Sequence, residues 1–255
     1  MPDLHQPLLP AVTFVGAGPG AAEHLTLGAL RVLQEADVVI HDRLVGDEVL
    51  ALIPGRVTRV DVGKEGFGPS TAQSAINAAL VAHAMTGARV VRLKGGDCGI
   101  FGRLDEEVEA LEAAGLSFRI LPGLTSATVA AASIGQSLTK RGRNASLRIL
   151  TGHDMAGFAE QDWRGLARPG EVAAIYMGKK SARFIQGRLL MHGASGSTDI
   201  TIVENVSRPS QRVLGTTLAK LPETIALCAG PAVILFGLAP RAASQSLAVL
   251  KEVQA

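Results

Sequence analysis

Five turns carry most of the glycine and polar residues that could bind a ligand or take part in chemistry. Each turn follows a short aliphatic run, and the turns span residues 16–20, 42–43, 63–64, 95–97 and 122–126. If those runs are parallel strands, all five turns lie at the carboxyl edge of one sheet, where open α/β sheets bind ligands. Glycines also close tight turns without any ligand. A single turn therefore stays ambiguous, whereas the five together favour a binding site.

The turn at residues 16–20 invites comparison with nucleotide-binding loops. The dinucleotide fingerprint is G-x-G-x-x-G, and it leads directly into a helix whose N-terminus receives the pyrophosphate. Here the spacing is G-x-G-x-G, with Pro19 inside the loop and several residues before the first helical pattern. Asp42 does lie where a ribose-binding acid would sit. A dinucleotide-binding oxidoreductase stays open as a remote alternative.

Metal binding and nucleophilic catalysis have little support. The 6 histidines show no i, i+3 or i, i+4 pair of ligands, and no G-x-S-x-G motif is present. Cys98, beside Asp97, is either a reactive thiol or a residue that lines the turn, and Cys228 is predicted to lie in the core. We therefore expect no metal site.

The elements that must position the turns alternate between short β-branched runs and longer helical patterns. Strands are predicted at residues 11–15, 38–40, 57–62, 89–93 and 118–121, and helices around residues 71–85 and 106–113. Thr26 is predicted to cap a helix in which Leu27, Leu30 and Leu33 share one face. This alternation indicates an α/β fold with a parallel sheet covered on both faces.

The same pattern restarts in the second half of the chain. Strands are predicted near residues 147–150, 172–176, 200–204, 212–214 and 232–236, with an amphipathic closing helix at residues 244–253. Residues 139–144 are polar, basic and without periodicity. We therefore expect an N-terminal α/β domain at residues 1–138 and a C-terminal α/β domain at residues 139–255.

Composition excludes several classes of protein. Among 255 residues, 47% are hydrophobic and 19% are charged, which supplies a core and excludes a disordered chain. The 2 cysteines exclude a disulfide scaffold, and the net charge of +2 argues against a nucleic-acid-binding surface. No apolar run reaches the roughly 20 residues of a membrane span. The first Lys or Arg is Arg31, so the basic start of a signal peptide is missing. We expect a soluble cytoplasmic protein with no membrane or nucleic-acid partner.

A series of motifs runs in order along nearly the whole chain. In the first half they include Val15-Gly16-Ala17-Gly18-Pro19-Gly20, Asp42-Arg43-Leu44-Val45, Val62-Gly63-Lys64, Leu93-Lys94-Gly95-Gly96-Asp97 and Ile100-Phe101-Gly102-Arg103. In the second half they include Thr151-Gly152-His153, Tyr176-Met177-Gly178, Val203-Glu204-Asn205 and Gly230-Pro231-Ala232. The chain resembles the uroporphyrinogen-III C-methyltransferases of the tetrapyrrole methylase superfamily.

The resemblance implies a fold and a reaction. The fold has two α/β domains, with a mostly parallel sheet in the first, a mixed sheet in the second, and S-adenosyl-L-methionine in the cleft between them. Such enzymes are usually homodimers. They transfer methyl groups to C2 and C7 of uroporphyrinogen III, giving precorrin-2 for sirohaem and cobalamin, and they release S-adenosyl-L-homocysteine.

The resemblance also implies roles for particular residues. Asp42 matches a proposed proton acceptor and Lys64 a proposed proton donor, although Asp42 could instead form a structural salt bridge with Arg43 or Lys64. The methyl-donor contacts would be Pro19, Gly95, Gly96, Asp97, Ile100, Thr125, Ser126, Met177, Val206 and Ala232. The glycine pair would let the backbone approach the donor closely.

A substrate with eight carboxylates requires a cationic rim. The candidates are Arg43, Lys94, Arg103, Lys140, Arg141 and Arg143. Guanidinium groups bind carboxylates through two hydrogen bonds, but a solvated surface position is the alternative for each of them. The cluster at residues 140–143 is the favoured one.

Three stretches depart from the family pattern. Residues 65–70 replace a basic, glycine-containing segment, Cys98-Gly99 replaces Pro-Phe, and Gln136-Ser137 replaces Ile-Pro ahead of Leu138-Thr139. These departures leave a corrin-pathway methylase that acts on a precorrin intermediate as the main alternative. A regulator that binds the methyl donor without catalysis is another.

Overall fold

The computed structural model describes residues 10–63 and 72–242. Two compact units divide the chain, Met1–Thr125 and Ser126–Ala255. None of the helices in the described part of the chain is long and apolar enough to cross a membrane. The predicted helix at residues 244–253 lies outside the described residues.

The first unit is built on a five-stranded sheet in which every pairing is parallel. The strands are β1 (Val12–Gly16), β2 (Val38–His41), β3 (Thr58–Asp61), β4 (Val90–Lys94) and β5 (Phe118–Leu121), in the order β3-β2-β4-β1-β5. The parallel sheet predicted from the alternating pattern is confirmed.

Helices cover both faces of this sheet. They are α1 (Leu27–Glu35), α2 (Asp47–Ala51), α3 (Gln73–Met85) and α4 (Leu104–Ala113). Val15 and Val39 pack with Leu33 of α1 and Val49 of α2 in one apolar cluster. Phe14 and Ile40, one position away on the same strands, pack with α3 and α4 in the other cluster. Successive strand side chains point to opposite faces, so each strand contributes to both cores.

The first helix differs from its prediction in one respect. Thr26 does cap α1, because its hydroxyl oxygen accepts a hydrogen bond from the Ala29 amide at 3.1 Å. The buried residues, however, are Ala29 and Leu33, whereas Leu27 is exposed. Residues 27 and 33 are six positions apart, so they are rotated by about 120° around a helix of 3.6 residues per turn. Leu27 therefore does not lie on the face where Leu33 is buried, and the prediction that the two share one face is wrong in this respect.

The second unit contains a mixed five-stranded sheet. Its strands are β6 (Arg148–Thr151), β9 (Ala173–Tyr176), β10 (Asp199–Glu204), β11 (Arg212–Thr217) and β12 (Ala232–Phe236), in the order β11-β10-β12-β9-β6. Only β6 and β9 pair in parallel, and the other pairings are antiparallel. A two-stranded ribbon of β7 (His153–Asp154) and β8 (Gly157–Phe158) stands apart from this sheet. The mixed sheet agrees with the expected fold.

The helices of the second unit also lie on both faces of its sheet. They are α5 (Ser126–Ser133), α6 (Trp163–Leu166), α7 (Ala182–Met191) and α8 (Leu221–Ile225). Side chains of α6, α7 and α8 form one core with Ile202 and Ile234. Side chains of α5 form the other core with Val203 and Val233.

The division between the units precedes α5, whereas the predicted domain boundary follows it. The physical reason is the packing of α5, whose buried residues Ala127, Ala130 and Ala131 contact side chains of the second sheet. Residues 139–144, expected to link the domains, belong to the second unit. They form a turn in which the Asn144 side-chain oxygen accepts from the Lys140 amide at 3.1 Å.

Candidate active site

Three of the five predicted turns join at the carboxyl edge of the first sheet. The Ala17 amide donates to the Lys94 carbonyl at 2.8 Å, and Gly18 and Gly96 exchange backbone hydrogen bonds of 3.1 and 2.8 Å. The carboxylate of Asp97 accepts from the Gly123 amide at 2.9 Å. The turns after β1, β4 and β5 therefore form one connected backbone surface.

Two glycines in this surface are required by backbone packing. A Cβ atom at Gly16 would lie 2.5 Å from the Gly123 nitrogen, and one at Gly123 would lie 2.3 Å from the Gly96 carbonyl oxygen. Such distances are far inside van der Waals contact, so any side chain would push the turns apart. These two glycines are explained without a ligand.

Gly96 is different from its neighbours. Its φ is +73°, and no atom lies within 4 Å of the position that a Cβ would take. Gly95, by contrast, packs against Leu44, whose Cβ would be 3.0 Å from an added methyl group. Of the glycine pair expected at the methyl donor, Gly96 is thus the one that leaves open space for a ligand against its backbone.

Asp42 lies at the end of β2 and joins a buried ionic cluster. Its Oδ1 accepts a hydrogen bond from Arg92 Nη2 at 2.6 Å, and its Oδ2 lies 4.0 Å from Lys94 Nζ. The Asp42 side chain is 31% exposed, whereas Arg92 is 1% exposed. The partners considered from sequence were Arg43 and Lys64. The structure pairs Asp42 with Arg92, which the sequence did not indicate.

Glu107 of α4 completes the cluster. Its carboxylate has no solvent exposure and accepts from Arg92 Nε at 3.1 Å, Arg92 Nη2 at 2.9 Å and Lys94 Nζ at 2.8 Å. Burial alone raises the pKa of the Glu107 carboxyl, but the charges and hydrogen bonds of Arg92 and Lys94 outweigh burial and lower its pKa. Two cations and two carboxylates therefore balance within this cluster.

A signal for the cluster does exist in the sequence. Arg92 and Lys94 interrupt the apolar pattern of β4, which is a central strand with neighbours on both sides. Charged side chains in such a strand are costly unless they are paired. The pattern thus predicts that partners exist, but it does not say which carboxylates they are.

Lys94 and Arg143 were expected on a cationic rim open to the substrate, but the structure places both against neighbouring groups of the protein. Lys94 is 4% exposed and paired with Glu107. The Arg143 guanidinium donates to the Ser137 carbonyl at 2.7 Å and to the Asn144 side chain at 3.0 Å. Both side chains are therefore engaged by neighbouring groups of the protein.

The other candidate substrate cations are exposed. Arg43 follows Asp42 in the turn after β2, and Lys140 and Arg141 lie in the turn closed by Asn144. Arg103 makes two hydrogen bonds to Glu106, at 2.7 and 2.6 Å. Lys64 and the departing segment at residues 65–70 lie outside the described residues.

Three residues of the second unit that are expected to contact the methyl donor lie at one edge of its sheet. Met177 follows β9, Val206 follows β10 by two residues, and Ala232 begins β12. Because β12 is antiparallel to β9 and β10, its first residue lies at the edge where those strands end, and Ala232 pairs with Glu204. Ser126 begins α5, and the next amide, of Ala127, donates to the Tyr176 hydroxyl at 2.9 Å.

This edge contains an unusual concentration of left-handed backbone. Met177, Asn205 and Ser207 have φ values of +53°, +50° and +60°. Each such residue costs about 1–2 kcal/mol relative to ordinary backbone, and such strain clusters at functional sites. Met177 is 51% exposed, whereas Val206 is buried. Sequence reasoning gave no role to Asn205 or Ser207.

Two charged side chains hold the turn that leads into β12. Lys179 Nζ donates to the carbonyls of Ala229 and Gly230, both at 2.9 Å. Glu204, which is 2% exposed, accepts from the Gly230 amide and from Arg212 Nη1. These contacts fix where β12 begins.

The two cysteines are buried. Burial raises the pKa of the Cys98 thiol to about 12, and it raises the pKa of Cys228 as well. Cys98 packs in the apolar cluster that contains Phe14 and Ile40, so its thiol is not accessible for reaction, and Cys228 lies in the core as predicted. Within the described ranges 10–63 and 72–242, no group of three or more His, Cys, Asp or Glu is arranged to hold a metal ion.

Comparisons with known proteins agree with this architecture. Siroheme synthase 3 of Aeromonas hydrophila is 45% identical over 226 residues, which are 89% of this chain and 48% of that protein. The crystal structure of uroporphyrin-III C-methyl transferase from Thermus thermophilus, complexed with S-adenyl homocysteine, is 37% identical with a TM-score of 0.76, covering 89% of this chain and 96% of that one. A cobalt precorrin-4 methyltransferase structure, with 23% identity and a TM-score of 0.78 over 89% of this chain and 94% of that one, shares the fold.

The chain spans about half the length of the curated relatives it matches. The family model of the Tetrapyrrole (Corrin/Porphyrin) Methylases matches residues 11–222, which cover the whole first sheet and four of the five strands of the second. This chain therefore belongs to the tetrapyrrole methylase family.

Proposed function

We propose that this chain uses S-adenosyl-L-methionine to methylate uroporphyrinogen III at C2 and C7, giving precorrin-2. The observation that carries the proposal is the 37% identity and TM-score of 0.76 to the Thermus thermophilus uroporphyrin-III C-methyl transferase structure, over 96% of that chain. That structure is described as a complex with S-adenyl homocysteine, which is what a sulfonium methyl donor becomes after transfer. The product would serve sirohaem and cobalamin synthesis, and the resemblance favours a homodimer.

The methyl donor supplies an electrophilic methyl group, and this chain would hold it through residues of both units. In the first unit the proposed contacts are Pro19, Gly95, Gly96, Asp97, Ile100 and Thr125, and in the second unit they are Ser126, Met177, Val206 and Ala232. The open space against Gly96 and the strained backbone of Met177 support these assignments. Positioning carries much of the rate of such a transfer, since the methyl group and the attacking carbon must lie in line.

Asp42 is the proposed proton acceptor. A pyrrole carbon becomes a stronger nucleophile as its ring nitrogen loses a proton, so a fixed carboxylate beside that nitrogen accelerates attack. Oδ1 of Asp42 accepts a hydrogen bond from Arg92 Nη2 at 2.6 Å. Oδ2 lies 4.0 Å from Lys94 Nζ, which is too far for a hydrogen bond. Oδ2 is therefore the oxygen proposed to receive the pyrrole proton. Lys64 is proposed as the proton donor on the resemblance alone.

Arg43, Arg103, Lys140 and Arg141 are the proposed partners of the substrate carboxylates. Arg103 already binds the Glu106 carboxylate through two hydrogen bonds, which is the geometry that a propionate or acetate group of the substrate would require. The exposed position of these four side chains is compatible with binding an anion from solvent.

An anaerobic assay with freshly reduced uroporphyrinogen III and S-adenosyl-L-methionine tests the proposal. Mass spectrometry of the tetrapyrrole should show two added methyl groups. Binding of S-adenosyl-L-homocysteine is measured separately by calorimetry, so that a poorly folded preparation is recognised. Donor binding without any methylated product would overturn uroporphyrinogen III as the substrate, and turnover of a precorrin intermediate in the same assay would identify a corrin-pathway methylase instead.

A further inference from the structure

Glu107 is a fully buried carboxylate with no place among the proposed substrate and donor contacts. Its two oxygens accept from three side chains, namely Arg92, Lys94 and Gln73, the last at 3.2 Å. A carboxylate with this many partners is fixed in orientation and cannot act on a bound ligand directly. Any effect on the reaction has to pass through one of these neighbours.

Two of these neighbours approach Asp42, and Arg92 makes the direct hydrogen bond at 2.6 Å, whereas Lys94 Nζ lies 4.0 Å from Oδ2. The Nη2 of Arg92 donates to Glu107 at 2.9 Å and to Asp42 at 2.6 Å, while its Nη1 donates to the carbonyls of Ile40 at 3.4 Å and Leu93 at 3.3 Å. Every nitrogen of the guanidinium is thus used, and Glu107 binds it through two parallel hydrogen bonds, which restricts its plane. The guanidinium therefore presents a fixed donor to Asp42.

Stability does not explain why such a cluster is present. Burying paired charges costs desolvation energy that the pairing roughly recovers, so apolar residues of similar volume are often equally stabilising. The members are nevertheless arranged from the buried Glu107, through Arg92, to Asp42, which is the one member with substantial solvent exposure. This order, from core to proposed site, favours a role in orienting Asp42.

We propose that Glu107 is a positioning residue that acts through Arg92 to hold the Asp42 carboxylate with Oδ1 engaged and Oδ2 turned to the substrate. The inference rests on the proposed function, because it assumes that Asp42 takes part in methyl transfer. It extends that function to a residue of α4 that contacts neither substrate nor methyl donor.

The first test is Glu107→Gln. The amide cannot accept two parallel hydrogen bonds from Arg92, so Asp42 loses its fixed orientation and kcat should fall on the order of 10- to 100-fold. KM for S-adenosyl-L-methionine and the affinity for S-adenosyl-L-homocysteine should keep their wild-type values. Glu109→Gln, the same change on the exposed side of α4, is the matched control and should leave kcat unchanged.

A double-mutant cycle separates positioning from a general structural effect. If Glu107 acts through Asp42, Glu107→Gln should lower kcat no further in an Asp42→Asn background. If the two losses instead multiply in full, the proposal is overturned.

A further variant controls for folding. Glu107→Gln leaves two buried cations against one carboxylate, which destabilises the protein. Lys94→Met/Glu107→Gln restores the charge balance. This double variant should fold and bind S-adenosyl-L-homocysteine as the wild type does, yet keep the low kcat. A return to wild-type kcat would show that charge balance, and not the positioning of Arg92, is what matters.

The free energy of unfolding in urea can be measured for the same Asp42→Asn and Glu107→Gln variants without any substrate. If the wild-type protein does not methylate uroporphyrinogen III, the proposed function fails, and the unfolding cycle then decides the inference. Non-additive changes of unfolding free energy for Asp42→Asn and Glu107→Gln would support the linkage through Arg92. Additive changes would rule it out.

Discussion

At single positions, the structure distinguishes glycines that pack backbone against backbone from glycines with open space. Gly16 and Gly123 belong to the first kind, and Gly96 to the second. Gly87, in the turn after α3, resembles Gly96, because its φ is +79° and nothing lies within 4 Å of an added Cβ. The two positions therefore share the same backbone requirement, but only Gly96 lies among the proposed donor contacts.

We expect Gly96→Ala and Gly87→Ala to lower the unfolding free energy by similar amounts, about 1–2 kcal/mol each, because both force a side chain into left-handed backbone. Only Gly96→Ala should weaken binding of S-adenosyl-L-homocysteine, since its methyl group fills space that the donor would occupy. Urea unfolding and calorimetry measure the two effects. Equal affinity in the two variants would remove Gly96 from the proposed contacts.

At the level of elements, one ion pair ties neighbouring strands together at their amino ends. Asp37, just before β2, accepts from the Arg89 amide at 2.9 Å and from its Nε and Nη2 at 3.0 and 2.9 Å. The hydrogen bonds from Arg89 lower the pKa of Asp37 from its usual 3.8 to about 2. This carboxylate therefore favours the folded state when it is ionised.

Because the folded pKa is the lower one, the contribution of Asp37 is complete above about pH 4 and is lost as the pH falls towards 2. The pair is about half exposed, so solvent screening limits the contribution to about 1 kcal/mol or less. Urea unfolding of wild type and Asp37→Asn should show a free-energy difference that shrinks between pH 4 and pH 2. Asp199→Asn, at the exposed first residue of β10, controls for loss of a surface carboxylate. A difference that stays constant down to pH 2 would contradict the assignment.

At the level of the whole molecule, each compact unit contains one buried cysteine. Cys98 lies in a core of the first unit and Cys228 in a core of the second. Each thiol is both inaccessible and held in its protonated form by burial. Their reactivity therefore reports the opening of each unit separately.

We expect neither thiol of the native protein to react readily with a disulfide reagent at neutral pH, and both to react in denaturant. Cys98, with 0% exposure, should be protected more strongly than Cys228, with 6%. Single Cys98→Ala and Cys228→Ala variants assign the rates, which are followed by absorbance of the released thiol. Rapid labelling of Cys98 in the native protein would contradict its placement in the core of the first unit.

Local sequence patterns were enough to predict most strands and several helices, together with the residue types at the ends of the strands. The strands of the two five-stranded sheets and helices α1, α3 and α4 follow from short-range periodicity, whereas α2, α5 to α8 and the β7–β8 ribbon were not predicted. The cap at Thr26 follows from one residue type, and the turns at the strand ends from glycine and charged residues. Ordered motifs were sufficient to indicate the family. Each of these patterns spans only a few neighbouring residues, so it can be recognised in the sequence without knowing which elements pack together.

Which charges form pairs, and where the two units divide, depends on contacts between residues far apart in the chain. Asp42 and Arg92 come together because β2 pairs with β4 in a register that places Ile40 beside Arg92, and Glu107 joins them because α4 packs on that face. Lys94, expected to bind substrate, is buried for the same reason. Helix α5 lies after the last strand of the first sheet but belongs to the second unit, because its alanine face fits the second sheet. Long-range pairing sets these outcomes, and local periodicity carries no information about it.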